Sequence, residues 1–266
     1  MNNQSEHNFN LGGSVEKAVN GDYELSFKSV IHEAWHLTKK HFFNFLPAIG
    51  VLLFVQVAIF FIAIELQFGD FALLFDAVTR PQDYPNLMAN LIVANLSYEV
   101  ISAPILAGVL MMAMSHSAGI RSDFRSITKG LNYTISIILL TVLTLVLQGL
   151  AGMILMPLSL YLTIAFSHSM LLICEKRVTP LKAIVLSFKA CNKKITTMLA
   201  CYAFVFVLFI VSLMFYGIGL ILVLPFYFHM KAIIYRQAFG IRLTVVPNSQ
   251  KPDESSSQPQ EKTFDA

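Results

Sequence analysis

The chain has 266 residues, of which 56% are apolar and only 13% charged, and its mean hydropathy is +0.64. A soluble domain of this size does not carry so little charge, so the expected fold class is all-α and polytopic, folded in lipid. The formal net charge of +3 is spread over separate loops, so it reads as a topology signal and not as a nucleic-acid surface.

Residues 1–22 are polar and are expected to form a disordered tail, as are residues 247–266, which are rich in Ser, Gln and Pro. No cleavable leader is expected, because no short apolar run precedes a small-residue cleavage site within residues 1–41. The first crossing then directs its own insertion, and the membrane domain is expected over residues 23–246.

Uncharged stretches set the crossings. Helices are predicted over 42–64 and 92–114. The runs from Leu131 to Cys174 and from Ile195 to Met230 are each too long for one crossing of about 20 residues. Each must fold back, at Gly149 to Gly152 and at Gly217 to Gly219, where glycine tolerates the angles of a short turn. This predicts helices over 131–150, 152–174, 195–216 and 219–238, completing six transmembrane helices in three hairpins. Pro104, Pro157 and Pro225 sit early in the even helices, where few backbone groups lose a partner. Of the 19 Lys and Arg, only Arg80 falls in the 65–91 loop. The positive-inside bias therefore places both termini in the cytoplasm and that loop outside. Phe71, Leu74, Phe75 and Val78 within it have the spacing of a further interfacial helix.

Residues 27–40 and 181–194 align position for position. Phe27, Val30, Ile31 and Ala34 fall on Leu181, Ile184, Val185 and Phe188, and Lys28, Lys39 and Lys40 fall on Lys182, Lys193 and Lys194. The apolar spacing predicts two amphipathic helices in the cytoplasmic interface, each ahead of a crossing, with the lysines at anionic headgroups. Arg121 to Lys129 is a shortened middle copy. Ser115-His116-Ser117 and Ser167-His168-Ser169 recur near the cytoplasmic ends of the second and fourth helices. Cys174, Cys191 and Cys201 map to the cytoplasmic side, where thiols stay reduced, so they read as small apolar side chains without a disulfide.

Thr179-Pro180-Leu181-Lys182-Ala183-Ile184 through Ser187-Phe188 and Lys193-Lys194, echoed by Ala34-Trp35-His36-Leu37-Thr38-Lys39-Lys40, precede hydrophobic hairpins. In this the chain resembles a diffuse group of bacterial six-helix membrane proteins that includes the membrane part attached to some glycerophosphodiester phosphodiesterases. The resemblance spans most of residues 25–240 and implies the fold and a bacterial inner-membrane location. It implies no activity, and no phosphodiesterase domain is expected here.

Two sites carry potential chemistry. His32-Glu33-Ala34-Trp35-His36 matches the zinc-peptidase pattern, in which two histidines four apart share a metal and the Glu activates water. On the wheel both His32 and His36 point away from the apolar face, and the second copy holds no ligand there. A third ligand would come from Glu175, Asp123, His116 or His168, none of which sits in a family pattern. Glu99 is the acid placed within a crossing, roughly 10 Å below the external edge, and His229 of the sixth helix is its predicted partner at roughly 15 Å. Lys231 is expected to snorkel to the cytoplasmic surface. Ala103 with Ala107, and Gly149 with Gly152, allow close helix contact. No phosphate loop, dinucleotide fingerprint or paired-cysteine zinc spacing occurs, and no cofactor is expected. The leading expectation is a non-catalytic scaffold, or a module whose partners are membrane lipids and other membrane proteins, built on an apparent scarcity of membrane-buried polar groups. The alternatives are a small-solute or proton-linked carrier using Glu99, and a zinc peptidase using His32, Glu33 and His36.

Overall fold

A computed structural model of the protein describes residues 7–69 and 71–245. Strand β1 (His7–Leu11) and helix α1 (Val15–Asn20) precede the long helix α2 (Phe27–Phe68). Next come α3 (Phe71–Thr79) and α4 (Leu87–Ser117), then a 3-10 segment (Phe124–Tyr133) leading into α5 (Thr134–Ile154). The chain continues through α6 (Met156–Ala165), α7 (Ser169–Lys176), α8 (Pro180–Lys193), α9 (Ile195–Met214) and α10 (Leu220–Phe239) to strand β2 (Ile241–Val245).

Among the described residues five stretches are long and apolar enough to cross a bilayer: Phe27–Gln67, Leu87–Ser117, Phe124–Ile154, Met156–Lys176 and Ile195–Met214. The protein is thus an all-α, multi-pass membrane protein. Exposed apolar side chains such as Phe54 of α2, Ile135 of α5 and Phe206 of α9 cover its outside. That surface is a liability in water and ordinary against hydrocarbon. The sixth predicted helix, 219–238, coincides with α10, which is not among the five. Instead of facing lipid along its length, α10 packs on α1, α2, α4 and α9, and its second half from Phe228 to Tyr235 is buried throughout.

Several expectations need correction. Residues 27–40 do not form a separate interfacial helix: α2 runs unbroken for 42 residues, about 60 Å at the helical rise, and passes through Pro47 without ending. Nothing between Lys39 and Phe42 breaks the hydrogen-bond ladder, so the amphipathic and apolar stretches fuse. The aligned segment behaves differently, because α8 stops at Lys194 (φ −130, ψ 35) before α9 begins. On α8, Ala183, Ile184, Ser187, Ala190 and Cys191 face the protein, while Leu181 and Val185 of the predicted apolar face are exposed. The turn expected at Gly149 to Gly152 lies at Leu155, since α5 continues through both glycines and breaks where Leu155 turns extended (φ −153), with Pro157 in the first turn of α6, where its missing N–H costs nothing. The turn at Gly217 stands as expected, with that glycine at φ 79.

The polar segment 1–22 was expected to lack structure, yet β1 pairs antiparallel with β2, Leu11 opposite Ile241, and α1 packs on α8 and α10. The hydroxyl of Tyr23 then donates to the carbonyl of Ala190 at 2.8 Å, fastening the approach to α2 onto α8. The 247–266 tail lies outside the described residues. Cys174, Cys191 and Cys201 are free and buried. The predicted small pair Ala103 and Ala107 is fully inside, and close by the 3-10 segment lies directly on α4. A Cβ on Gly108 would meet the carbonyl oxygen of Ile127 at 1.9 Å, and one on Gly130 that of Pro104 at 2.1 Å.

Candidate functional site

A cleft of about 180 Å³ opens between α4, α5, α6 and α10. Glu99 of α4 lines it, as do Thr141, Thr144 and Gln148 of α5, Thr163 of α6, Ser167 between α6 and α7, and Lys231 of α10. Thr141, Thr144 and Gln148 recur at helical spacing, so one polar stripe runs along an otherwise apolar helix. Thr141 and Thr144 donate their protons to the Ile137 and Leu140 carbonyls of the turn behind them, which leaves hydroxyl lone pairs facing the cleft. Leu106, Leu110 and Leu140 form its apolar side.

Lys231 does not snorkel. It is 9% exposed, lines the cleft and sits 5.4 Å from the ring centre of Tyr227. His229 is not the partner of Glu99 either. Residues two apart on a helix point about 200° away from each other, so α10 turns Lys231 to the cleft and His229 to the opposite side. There His229 meets α2 and α4. Its Nε2 lies 3.1 Å from Nδ1 of His116, and its Nδ1 lies 3.2 Å from the hydroxyl of Thr38. His41 stacks on His116 at 4.0 Å between ring centres, and Phe45 closes the cluster against His229. A neutral imidazole has one donor and one acceptor nitrogen, so Thr38, His229 and His116 form a chain in which every hydrogen bond runs in the same direction.

The contact of His116 with His229 also sets the levels of the two helices. From Glu99 to His116 is about 25 Å of helix, whereas Lys231 is barely past His229, so the backbones carrying the two charges stand at different levels of the bundle. Neither takes part in the ion pairs among the described residues, which are Arg80 with Asp76, Lys176 with Glu175 and Arg236 with Glu33.

The histidines of the zinc-peptidase pattern, His32 and His36, are both exposed on α2. Glu33 between them takes Arg236 of α10 across the bundle, both carboxylate oxygens lying 2.8 Å from Nη2, and the other nitrogen of Arg236 donates to the carbonyl of Ser117. Three of the four candidate third ligands are engaged elsewhere. Glu175 accepts from Tyr235 at 2.8 Å, Lys176 at 2.9 Å and the amide of Arg242 at 3.0 Å. His168 stacks near Tyr235, and His116 is in the histidine cluster. Among the described residues no group of three or more His, Cys, Asp or Glu is placed to hold a metal.

Of the interfacial lysines, Lys28, Lys39, Lys40, Lys182 and Lys193 are exposed and Lys194 is half-buried; Lys39 lies 5.6 Å over the ring of Trp35. The α5 stripe escaped the sequence reading although its spacing was visible. His41 escaped because no local pattern marks it. Comparison with protein-family models, with curated proteins and with solved structures gives no match to this chain.

Proposed function

We propose that the protein is a carrier of a small polar solute in a bacterial cytoplasmic membrane, crossing it six times as three hairpins with both termini inside. The sixth crossing is α10, held in the middle of the bundle. The reading is carried by one observation: Glu99, Lys231 and the α5 stripe line the same cleft inside a bundle whose outside is apolar. Ionisable groups in such a place are expensive to keep, and by default they mark a path for solute or protons. Pairing of α2 with α4, of α5 with α6 and of α9 with α10 supports the three hairpins. The resemblance to the membrane part of some phosphodiesterases supports the same architecture.

Proteoliposomes loaded with a pH-sensitive dye test the function. Beyond the passive entry of undissociated acid seen in empty vesicles, addition of a mixture of organic acids, amino acids and sugars is expected to move protons into wild-type vesicles and not into Glu99→Gln vesicles. A trace identical to that of empty vesicles, for both proteins, removes the carrier reading.

The second reading, a non-catalytic scaffold that associates with lipids and other membrane proteins, is favoured by the exposed lysines of α2 and α8. It ranks below the first because Thr38, His41, His116, His229 and Lys231 are polar and buried, so the expected scarcity of such groups does not hold. Equal vesicle binding of wild type and a variant with Lys39, Lys40, Lys193 and Lys194 neutralised would count against it.

A further inference from the structure

We infer that the Lys231 side of the cleft is a site for a small organic monocarboxylate, with its anionic head on Lys231. The inference deepens the carrier reading and rests on it for the cleft being the solute site. Lys231 is 9% exposed, lines the cleft and has no carboxylate within ion-pair distance among the described residues. Its ammonium lies 5.4 Å from the ring centre of Tyr227. An ammonium enclosed in a membrane bundle needs an anion or acceptors, and Glu99 stands at a different level.

The surroundings select the class of anion. Ser167 lines the same cleft, its hydroxyl 2.9 Å from Nδ1 of His168 and free to donate to an anion when that nitrogen carries its own proton, while Leu106, Leu110 and Met170 offer apolar contact alongside. One ammonium and a hydroxyl suit a single negative charge; a phosphate would call for the richer donor set that arginine forks supply. Size sets a further bound. An apolar cavity of about 150 Å³ holds benzene, so a cleft of about 180 Å³ takes a molecule of fewer than about ten heavy atoms. A short aliphatic acid fits both the charge and the volume.

Purified full-length protein in nanodiscs of zwitterionic lipid is titrated with butyrate and, separately, with its neutral amide, butyramide. Butyrate is expected to bind with saturation and butyramide not. Lys231→Met, which keeps the unbranched stem, is expected to weaken butyrate binding at least tenfold while the melting profile of the protein stays cooperative. Ser167→Ala is expected to weaken it less. Equal binding of butyrate and butyramide, no binding of either, or unchanged butyrate binding by Lys231→Met overturns the inference. So does displacement of butyrate by anionic phospholipid in the nanodisc, which would make a headgroup the occupant. Dye-loaded vesicles that respond to sugars or amines, but to butyrate no faster than empty vesicles do through passive entry of the undissociated acid, leave the carrier reading standing and defeat the carboxylate. Lys231-dependent butyrate binding with no flux of any solute does the reverse.

Discussion

Arg236 of α10 holds Glu33 of α2 by two contacts of 2.8 Å from one nitrogen, and its other nitrogen reaches the last turn of α4 at Ser117. One guanidinium thus ties three helices at one end of the bundle. Both side chains are mostly enclosed, at 17% and 31% exposure, so the pair is less screened than a surface bridge. Glu33→Ala is expected to cost about 1–2 kcal/mol of stability, and Arg236→Ala more because it also strips the Ser117 carbonyl. Unfolding in mixed detergent micelles measures both. Metal analysis of a His36→Ala protein addresses the zinc-peptidase pattern, since the histidines and not the Glu would hold the ion: zinc bound at one equivalent in wild type and lost in the variant would revive it.

The histidine cluster is expected to act as a packed polar core. His229→Ala removes a fully buried ring together with its contacts to His116 and Thr38. A loss of about 2–4 kcal/mol is expected from cavity and unpaired groups. A fall of under about 0.5 kcal/mol would mean the cluster is loose and hydrated.

Close backbone contact makes two glycines irreplaceable. Gly108→Ala and Gly130→Ala each drive a methyl into a carbonyl oxygen of the opposing segment, and each is expected to cost about 3 kcal/mol or more. Gly50 and Gly149 lie in helices with open space around them, so alanine there is expected to be neutral or to stabilise by about 0.5–1 kcal/mol. Paired melting curves of these four variants decide whether the 3-10 segment truly lies on α4.

Burial pushes the Cys191 thiol from its ordinary 9.0 up to about 12. The thiolate is therefore scarce in the folded protein at neutral pH, and N-ethylmaleimide is expected to label Cys191 only after unfolding. The thiol's folded value lies above its unfolded one, so its contribution to stability is intact below pH 9 and is lost as pH climbs through about 12. Mass spectrometry of labelled peptides, with and without denaturant, checks the first point, and melting between neutral and alkaline pH the second.

The α5 stripe predicts a wet path. Thr144→Cys and Gln148→Cys are expected to react with a membrane-impermeant thiol reagent, whereas Val146→Cys, on the exposed apolar side of the same helix, is not. Equal protection of all three would mean that water does not enter the cleft.

What could be read from residues alone was whatever depends on transfer between water and lipid. Apolar run length and the sparse charges marked helical crossings, and free, buried cysteines were foreseen because the hydropathy around them is local information. Even Glu99 stood out, since one carboxylate within an apolar run is anomalous wherever it ends up. The pairing of that residue was beyond reach, because it depends on how α10 is rotated, and rotation is set by packing against α2 and α4. The same rotation decided that Lys231 faces inward and His229 joins His41 and His116. It also gave Glu33 to Arg236, more than two hundred residues away, where the local spacing suggested a metal. The strand at His7–Leu11 has no periodicity of its own long enough to detect; it exists because β2 supplies its hydrogen bonds. Composition determined the medium in which this chain folds, and only the assembled bundle decided which polar groups share a cleft, because that depends on the turn of each helix about its axis and not on how apolar it is.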